Sequence, residues 1–363
     1  MNCEIKITEN KVYMKRIALG ILAWCALMST SCGKQTSQSE GYTTNKEMEL
    51  LTCKQEIASD SAFFRYPYRI EIKDGVAVLL DLHNDSHYLY AFSYPDWKLI
   101  APFGRRGEGP GEMLSGDRVR ICSVDSVWVL DANRMQITRW SVDTVQKSVA
   151  RMEEIPLDKR LLRTLDFCKS ENGFLVTDYT GEYRYHEIGM DGQIQQSLDT
   201  IPTRDSTYLE NRPALAQAWR TFMDYNPRNG VLAMVTQLGE VVEIYNRKTG
   251  FHKVLFGPEG EPVFKAVGGE AIPTGIKGFE DVRVTDSFIY ASFDGMSFKE
   301  MLKAFQEGKE LPEGGKYLYV FSLEGELLHQ YTLDHHVSGV ELHDHHLFTT
   351  SMDNDNPVVE YAL

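Results

Sequence analysis

Residues 76–92 read VAVLLDLHNDSHYLYAF. Five apolar residues run up to Asp81, a polar turn follows, and an aromatic-rich segment returns. Short runs of β-branched and aromatic residues bounded by Asn, Asp and Ser compose a strand, a turn and a second strand. The pattern recurs at 126–140 (SVWVLDANRMQITRW), 173–188 (GFLVTDYTGEYRYHEI) and 230–245 (GVLAMVTQLGEVVEIY). It returns at 287–298 (SFIYASFDGMSF), resuming at 316–321 (KYLYVF), and at 346–363 (HLFTTSMDNDNPVVEYAL). The residues marking the end of the first strand are Asp81, Asp131, Asp178, Thr236, Asp294 and Asp353, at spacings of 50, 47, 58, 58 and 59.

A four-stranded propeller blade takes roughly 40–50 residues, and the surplus here fits long connections. The expected fold is all-β, a six-bladed β-propeller of four-stranded blades over 48–363. One such unit cannot cover its own faces, and stacking units in a ring does so while leaving few open edges. The last unit supplies only three strands before the chain stops. The strand-like stretch 48–57 (MELLTCKQEI) is expected to add the fourth, so that an N-terminal strand closes the ring. In the fifth unit Phe298, Met301, Leu302 and Phe305 recur at helical spacing, with Gly308 and Pro312 beyond them. That predicts one amphipathic helical insertion in blade 5.

The N-terminal residues read as an address. Met14-Lys15-Arg16 is a basic start, 17–28 (IALGILAWCALM) is apolar, and Ser29-Thr30-Ser31-Cys32 follows. Basic, apolar and small segments in that order make a secretory signal peptide, and twelve apolar residues are too few to span a bilayer. The expected leader is 1–31, with Met14 a second candidate for the initiator. Cys32 after small residues resembles a bacterial lipobox, and the resemblance implies that Cys32 becomes the lipidated first residue of the mature chain. Residues 32–47 are then the lipidated Cys and a polar, flexible tether.

Of the 363 residues 42% are hydrophobic and 25% charged, the composition of a globular protein. The net charge is −14, and losing the leader removes four basic and two acidic residues, leaving the chain more acidic still. Such a surface argues against nucleic acid as a partner. Cys53, Cys122 and Cys168 remain beside Cys32, without metal spacing; they read as small apolar core residues, with one disulfide as the alternative.

The loop 103–113 (FGRRGEGPGEM), the turn 226–230 (NPRNG) and the stretch 319–326 (YVFSLEGE) resemble their counterparts in TolB-like six-bladed propeller lipoproteins. With the repeats, the resemblance extends over roughly 48–363. It implies a lipoprotein of the bacterial cell envelope with a propeller body, and it carries no catalytic set with it.

Candidate chemistry is sparse. The recurring Asp residues either ring a channel mouth around a cation or cap their own turns, and recurrence in nearly every unit favours the turn. Arg105 and Arg106 in the Gly-rich loop either face an anion or belong to a tight connection built on glycine. His335, His336, His343, His345 and His346 crowd into twelve residues. A strand between His336 and His343 would hold the two groups roughly 20 Å apart, which argues against a single zinc site. No GxSxG or HExxH motif occurs.

Blade topology puts loop 104–112, the insertion 296–315 and His335-His336 on one face. The expected ligand-binding residues are therefore Arg105, Arg106, Phe298, Phe305, His335 and His336. The expected function is a monomeric binding or scaffolding module, anchored to the membrane by lipid, facing the periplasm from the outer membrane. Its expected partner is a protein, a peptide or a small ligand. The alternative is a lactonase-like propeller hydrolase or lyase with Ca or Zn in the central channel; no cofactor is expected otherwise.

Overall fold

The computed structural model describes residues 38–44, 47–58 and 62–363. The leader 1–31 and Cys32 lie outside the described residues.

Six antiparallel sheets form the blades of a propeller. Blade 1 consists of Pro67–Lys73, Val76–Asp81, His87–Ser93 and Leu99–Arg105. Blades 2 to 5 have inner strands Arg118–Ser123, Phe167–Lys169, Thr221–Asn226 and Phe279–Val284. Blade 6 is Val340–His343, His346–Thr350 and Val358–Ala362, completed by Gln55–Ile57, whose Ile57 pairs with Val358 and Gln55 with Glu360. The ring therefore closes through an N-terminal strand, as the missing strand required. The predicted insertion is the helix Phe298–Gln306, between the second and third strands of blade 5. Ser297 accepts from the Glu300 amide at its start, and the Glu300 carboxylate accepts from the Ser297 amide in return.

The second strands of blades 1 and 4 are apolar up to their last residue because both of their faces are covered. Every residue of Val76–Asp81 and of Val231–Thr236 is buried. An outer strand such as Ser148–Pro156 instead alternates exposed and partly covered residues over most of its length. Apolar packing is concentrated at the seams between blades, one cluster to each of the six. At the closing seam Ile57 packs with Ile70, Leu79, Phe92 and Phe348.

Two expectations about the N-terminal stretch change. Within the supposed tether, Gln38–Gly41 is a strand, parallel to Phe251–Phe256 on the outer edge of blade 4. Within the closing stretch, Glu49–Leu51 does not join blade 6 but runs parallel to the outer strand of blade 5. The strands Gln38–Gly41, Glu49–Leu51 and Gln55–Ile57 thus lie along blades 4, 5 and 6 in turn. The physical reason is edge supply: each outer strand presents a row of unpaired amides and carbonyls, and a polar segment can pair with them without an apolar pattern of its own.

Candidate functional site

The central axis is built from inner strands, whose inner edges have no neighbouring strand. In blades 1, 2 and 5 alternate residues there are charged (Arg69 and Glu71, Arg118 and Arg120, Asp281 and Arg283), and they turn to the axis. A carboxylate of one blade accepts the inner amide of another: Glu71 from Ile121 at 3.3 Å, Asp166 from Met223 at 3.0 Å, Asp224 from Val284 at 2.7 Å, and Asp281 from Val340 at 2.9 Å. Arginines serve the carbonyls: Arg120 donates to Phe167 and Met223, Arg283 to Val340 and Ile70, and Arg69 to Glu280. Buried backbone groups must find partners, and these side chains provide them where sheet pairing ends.

The same groups pair with one another. Arg118 bridges Asp281 at 2.8 Å and Asp166 at 3.2 Å. Arg120 reaches Asp224 at 3.0 Å, and Arg283 reaches Glu71 at 2.6 Å and Glu341 at 2.7 Å. Burial opposes the charge on Asp281, yet Arg118 and Arg69 hold its carboxyl well below the usual range. Burial wins at Glu341, which is pushed far up despite Arg283. Arg69, Arg118, Arg120 and Arg283 thus share the axis with Glu71, Asp166, Asp224, Asp281 and Glu341. These residues do not fit a channel Ca or Zn, because guanidinium groups and amides already occupy the carboxylate oxygens.

The long connections gather at one end of the ring. The outer-to-inner links and the links between second and third strands share a face, hereafter the mouth, and the two-residue turns such as Asp74-Gly75 lie opposite. The mouth holds the Gly-rich loop, the helix Arg212–Ala218, the hairpin Phe264–Val267 with Glu270–Pro273, and the helix Phe298–Gln306. The marker aspartates also sit there, as turn builders. Asp81 accepts from the amides of Arg65, Tyr66, His83 and Asn84. Asp131 and Asp178 do the same for their own turns and for neighbouring segments.

The six expected ligand residues are all placed toward the mouth end, but not in one cluster. Arg106 is drawn inward: it donates to Leu82 at 2.8 Å and Asn84 at 3.1 Å and lies over the Tyr88 ring at 4.4 Å. Arg105 stays exposed and pairs with Glu112 at 3.3 Å. The loop's own amides are used internally, Gly107 donating to Met113 and Gly109 to Glu112. Gly104 has φ +65° near the end of its strand, and a Cβ there would meet Leu89 at 2.7 Å, so that backbone conformation favours glycine. Phe305 is 79% exposed, whereas Phe298 is partly covered. His336 lies 3.3 Å from the Gly314 carbonyl, and His335 sits against Asp334 and Glu56 on the rim of blade 5. Among the described cysteines, Cys53, Cys122 and Cys168 are all free.

Residues 45–345 match the TolB-like 6-blade propeller-like family. The chain belongs to that family. No curated protein sequence matches it. Solved structures show the same fold. One is a Bacteroides fragilis protein described as exported (11% identity, TM-score 0.55, 90% of this chain and 99% of the other). Another is a member of the DUF4221 family from Bacteroides vulgatus (8%, TM-score 0.54, 86% and 97%). A luciferin-regenerating enzyme also aligns (9%, TM-score 0.50, 85% and 94%).

On this TolB-like body the strand Gln38–Gly41 leads to a buried group that the sequence reading passed over. The Tyr42 hydroxyl donates to Glu240 at 3.1 Å, and its ring meets Phe321 edge-on. Burial lifts the Glu240 carboxyl to about 7, only partly countered by the Glu259 amide and by Tyr42. A carboxyl whose folded pKa exceeds its unfolded value near 4.5 favours the fold when protonated. Its contribution is therefore present at low pH and disappears as pH rises through about 7. Glu240→Gln removes this dependence. The stability difference between wild type and variant, from urea denaturation at about pH 5 and about pH 8, is expected to change by about 2–3 kcal/mol. A constant difference would contradict the assignment.

Proposed function

We propose that this TolB-like propeller is a cell-envelope protein, anchored by lipid on Cys32, that captures an apolar segment of a partner protein on its mouth. One observation carries the reading: ten of the seventeen exposed large apolar side chains among the described residues lie on mouth connections. They include Phe63, Leu162, Val267, Ile272, Leu302 and Phe305. Exposed apolar side chains concentrated on one face suit an interaction surface. The ion-paired axis supports binding at the mouth rather than chemistry within the channel. The basic–apolar–small leader ending at Cys32 supports export and anchoring, and the B. fragilis relative of the same fold is described as exported.

One experiment tests both halves. Wild type, Cys32→Ser, a Leu302→Ser/Phe305→Ser double variant and the opposite-face control Val145→Ser are expressed in a bacterial host, cross-linked and fractionated. Cys32→Ser is expected to leave the membrane fraction or remain unprocessed. The double variant should lose at least about tenfold in cross-linked partner, since two apolar anchors are removed. Val145, 83% exposed at a turn on the far side, should be neutral. Membrane retention of Cys32→Ser would overturn the anchor, and equal capture by the mouth variant and the control would overturn the binding face.

A further inference from the structure

We infer that Cys53, Asp334 and His335 form a zinc site that clamps the ring-closing segment to the outer strand of blade 5. One ligand atom from each of the three lies within 4.8 Å of the other two. Thiolate, imidazole and carboxylate are zinc donors, and three of them bound at about 2.0–2.3 Å leave a fourth position for water. Such bond lengths require donors roughly 3.3–3.7 Å apart, so the Asp334–His335 pair at 2.9 Å opens slightly and the other separations, none beyond 4.8 Å, adjust to it.

The surroundings resemble the support that metal ligands receive elsewhere. His335 turns Nδ1 toward Asp334, at 2.9 Å, and Nε2 toward Glu56, at 3.1 Å. A metal ion on Nδ1 leaves the imidazole proton on Nε2, where Glu56 accepts it; that is the carboxylate–histidine–metal arrangement. Glu56 is held in turn by Asn356 at 2.9 Å. Asp334 is oriented by the Cys53 amide at 2.8 Å and the Tyr361 hydroxyl at 3.0 Å. The local charge is acidic, with Glu56, Asp334 and Glu360 set against Lys54. Binding a divalent cation displaces the thiol proton to solvent, so affinity falls with falling pH.

The location gives the site its purpose. Cys53 lies between Glu49–Leu51, which pairs with blade 5, and Gln55–Ile57, which completes blade 6. Asp334 and His335 belong to the blade 5 strand Leu327–Val337, and Tyr361 to blade 6. A metal ion here joins the start of the propeller to its last two blades, in addition to the sheet hydrogen bonds. It lies on the rim, away from the arginine-filled axis.

The test uses the purified protein, freed of metal by chelator, with Zn²⁺ and Co²⁺ as the probes. Wild type is expected to bind one Zn²⁺, to show a rise in melting temperature that grows with zinc concentration, and to give a sulfur-to-cobalt charge-transfer absorption with Co²⁺. Cys53→Ser should lose the absorption and at least about tenfold in zinc affinity, and His335→Gln should lose affinity similarly. Both residues are only partly buried, and retention of the metal-free wild-type melting temperature shows that the variants fold. Absence of the cobalt–thiolate band in wild type overturns the site. So does zinc stabilisation that Cys53→Ser and His335→Gln retain in full, which would point to His343, His345 and His346 instead.

Discussion

Arg283→Met is expected to destabilise the protein by about 3–5 kcal/mol, the cost of removing one partner from a buried ionic network. Arg283 joins blade 5 to blades 1, 4 and 6. It lies 2.6 Å from Glu71, 2.7 Å from Glu341 and 3.5 Å from Asp224, and it donates to the Val340 and Ile70 carbonyls. Its side chain is only 10% exposed, so water cannot take over these roles. Methionine fills most of the volume and leaves carboxylates facing one another across the axis. A companion variant separates charge from packing: Arg283→Met with Glu71→Gln removes one of the stranded charges and should recover part of the loss. Urea denaturation followed by circular dichroism measures both. A loss below about 1 kcal/mol for the single variant would show that the network is dispensable.

Truncation from the N-terminus is expected to give the other large effect, in steps. A chain beginning at Gln38 should keep wild-type stability. Beginning at residue 45 should cost about 2–4 kcal/mol, because the partly buried Tyr42 ring leaves the blade 4–blade 5 seam. A flexible tether over 32–47 would make that deletion harmless, and the pairing of Gln38–Gly41 with blade 4 is what makes it costly. Beginning at residue 59 should abolish a cooperative thermal transition. It removes the fourth strand of blade 6, takes Ile57 from the closing seam and uncovers the outer edge of blade 5. A loss of that kind approaches the whole stability of a domain, about 5–15 kcal/mol, and open edges invite association. Calorimetry and size-exclusion chromatography of the three chains provide the comparison. Equal melting temperatures for chains beginning at 45 and 59 would rule out closure by Gln55–Ile57.

The mouth was legible in part. Phe305 was marked by its helical spacing and stands exposed on the helix Phe298–Gln306. Arg106 was marked by its charge within a glycine loop, yet it serves the Leu82 and Asn84 carbonyls. Charge in a sequence does not reveal whether an unsatisfied carbonyl lies within reach. The zinc ligands could not be joined from the chain alone, since Cys53 is 281 residues from Asp334.

What the sequence determined was local and repeated. Apolar runs such as 76–80 and 231–235, each ending at a turn residue, demand cover on both faces, and six of them in succession call for a ring. The turn role of Asp81, Asp131 and Asp178 followed from the same recurrence. What only the tertiary structure decided was non-local. Arg69 and Glu71, Arg118 and Arg120, and Asp281 and Arg283 read as the polar faces of ordinary strands, because alternation shows that a side is polar but not what it faces. Ring closure turns those faces to a common axis, where the charges serve one another and the unpaired inner edges. Gln38–Gly41 likewise has no strand pattern of its own and becomes one because blade 4 offers it an open edge.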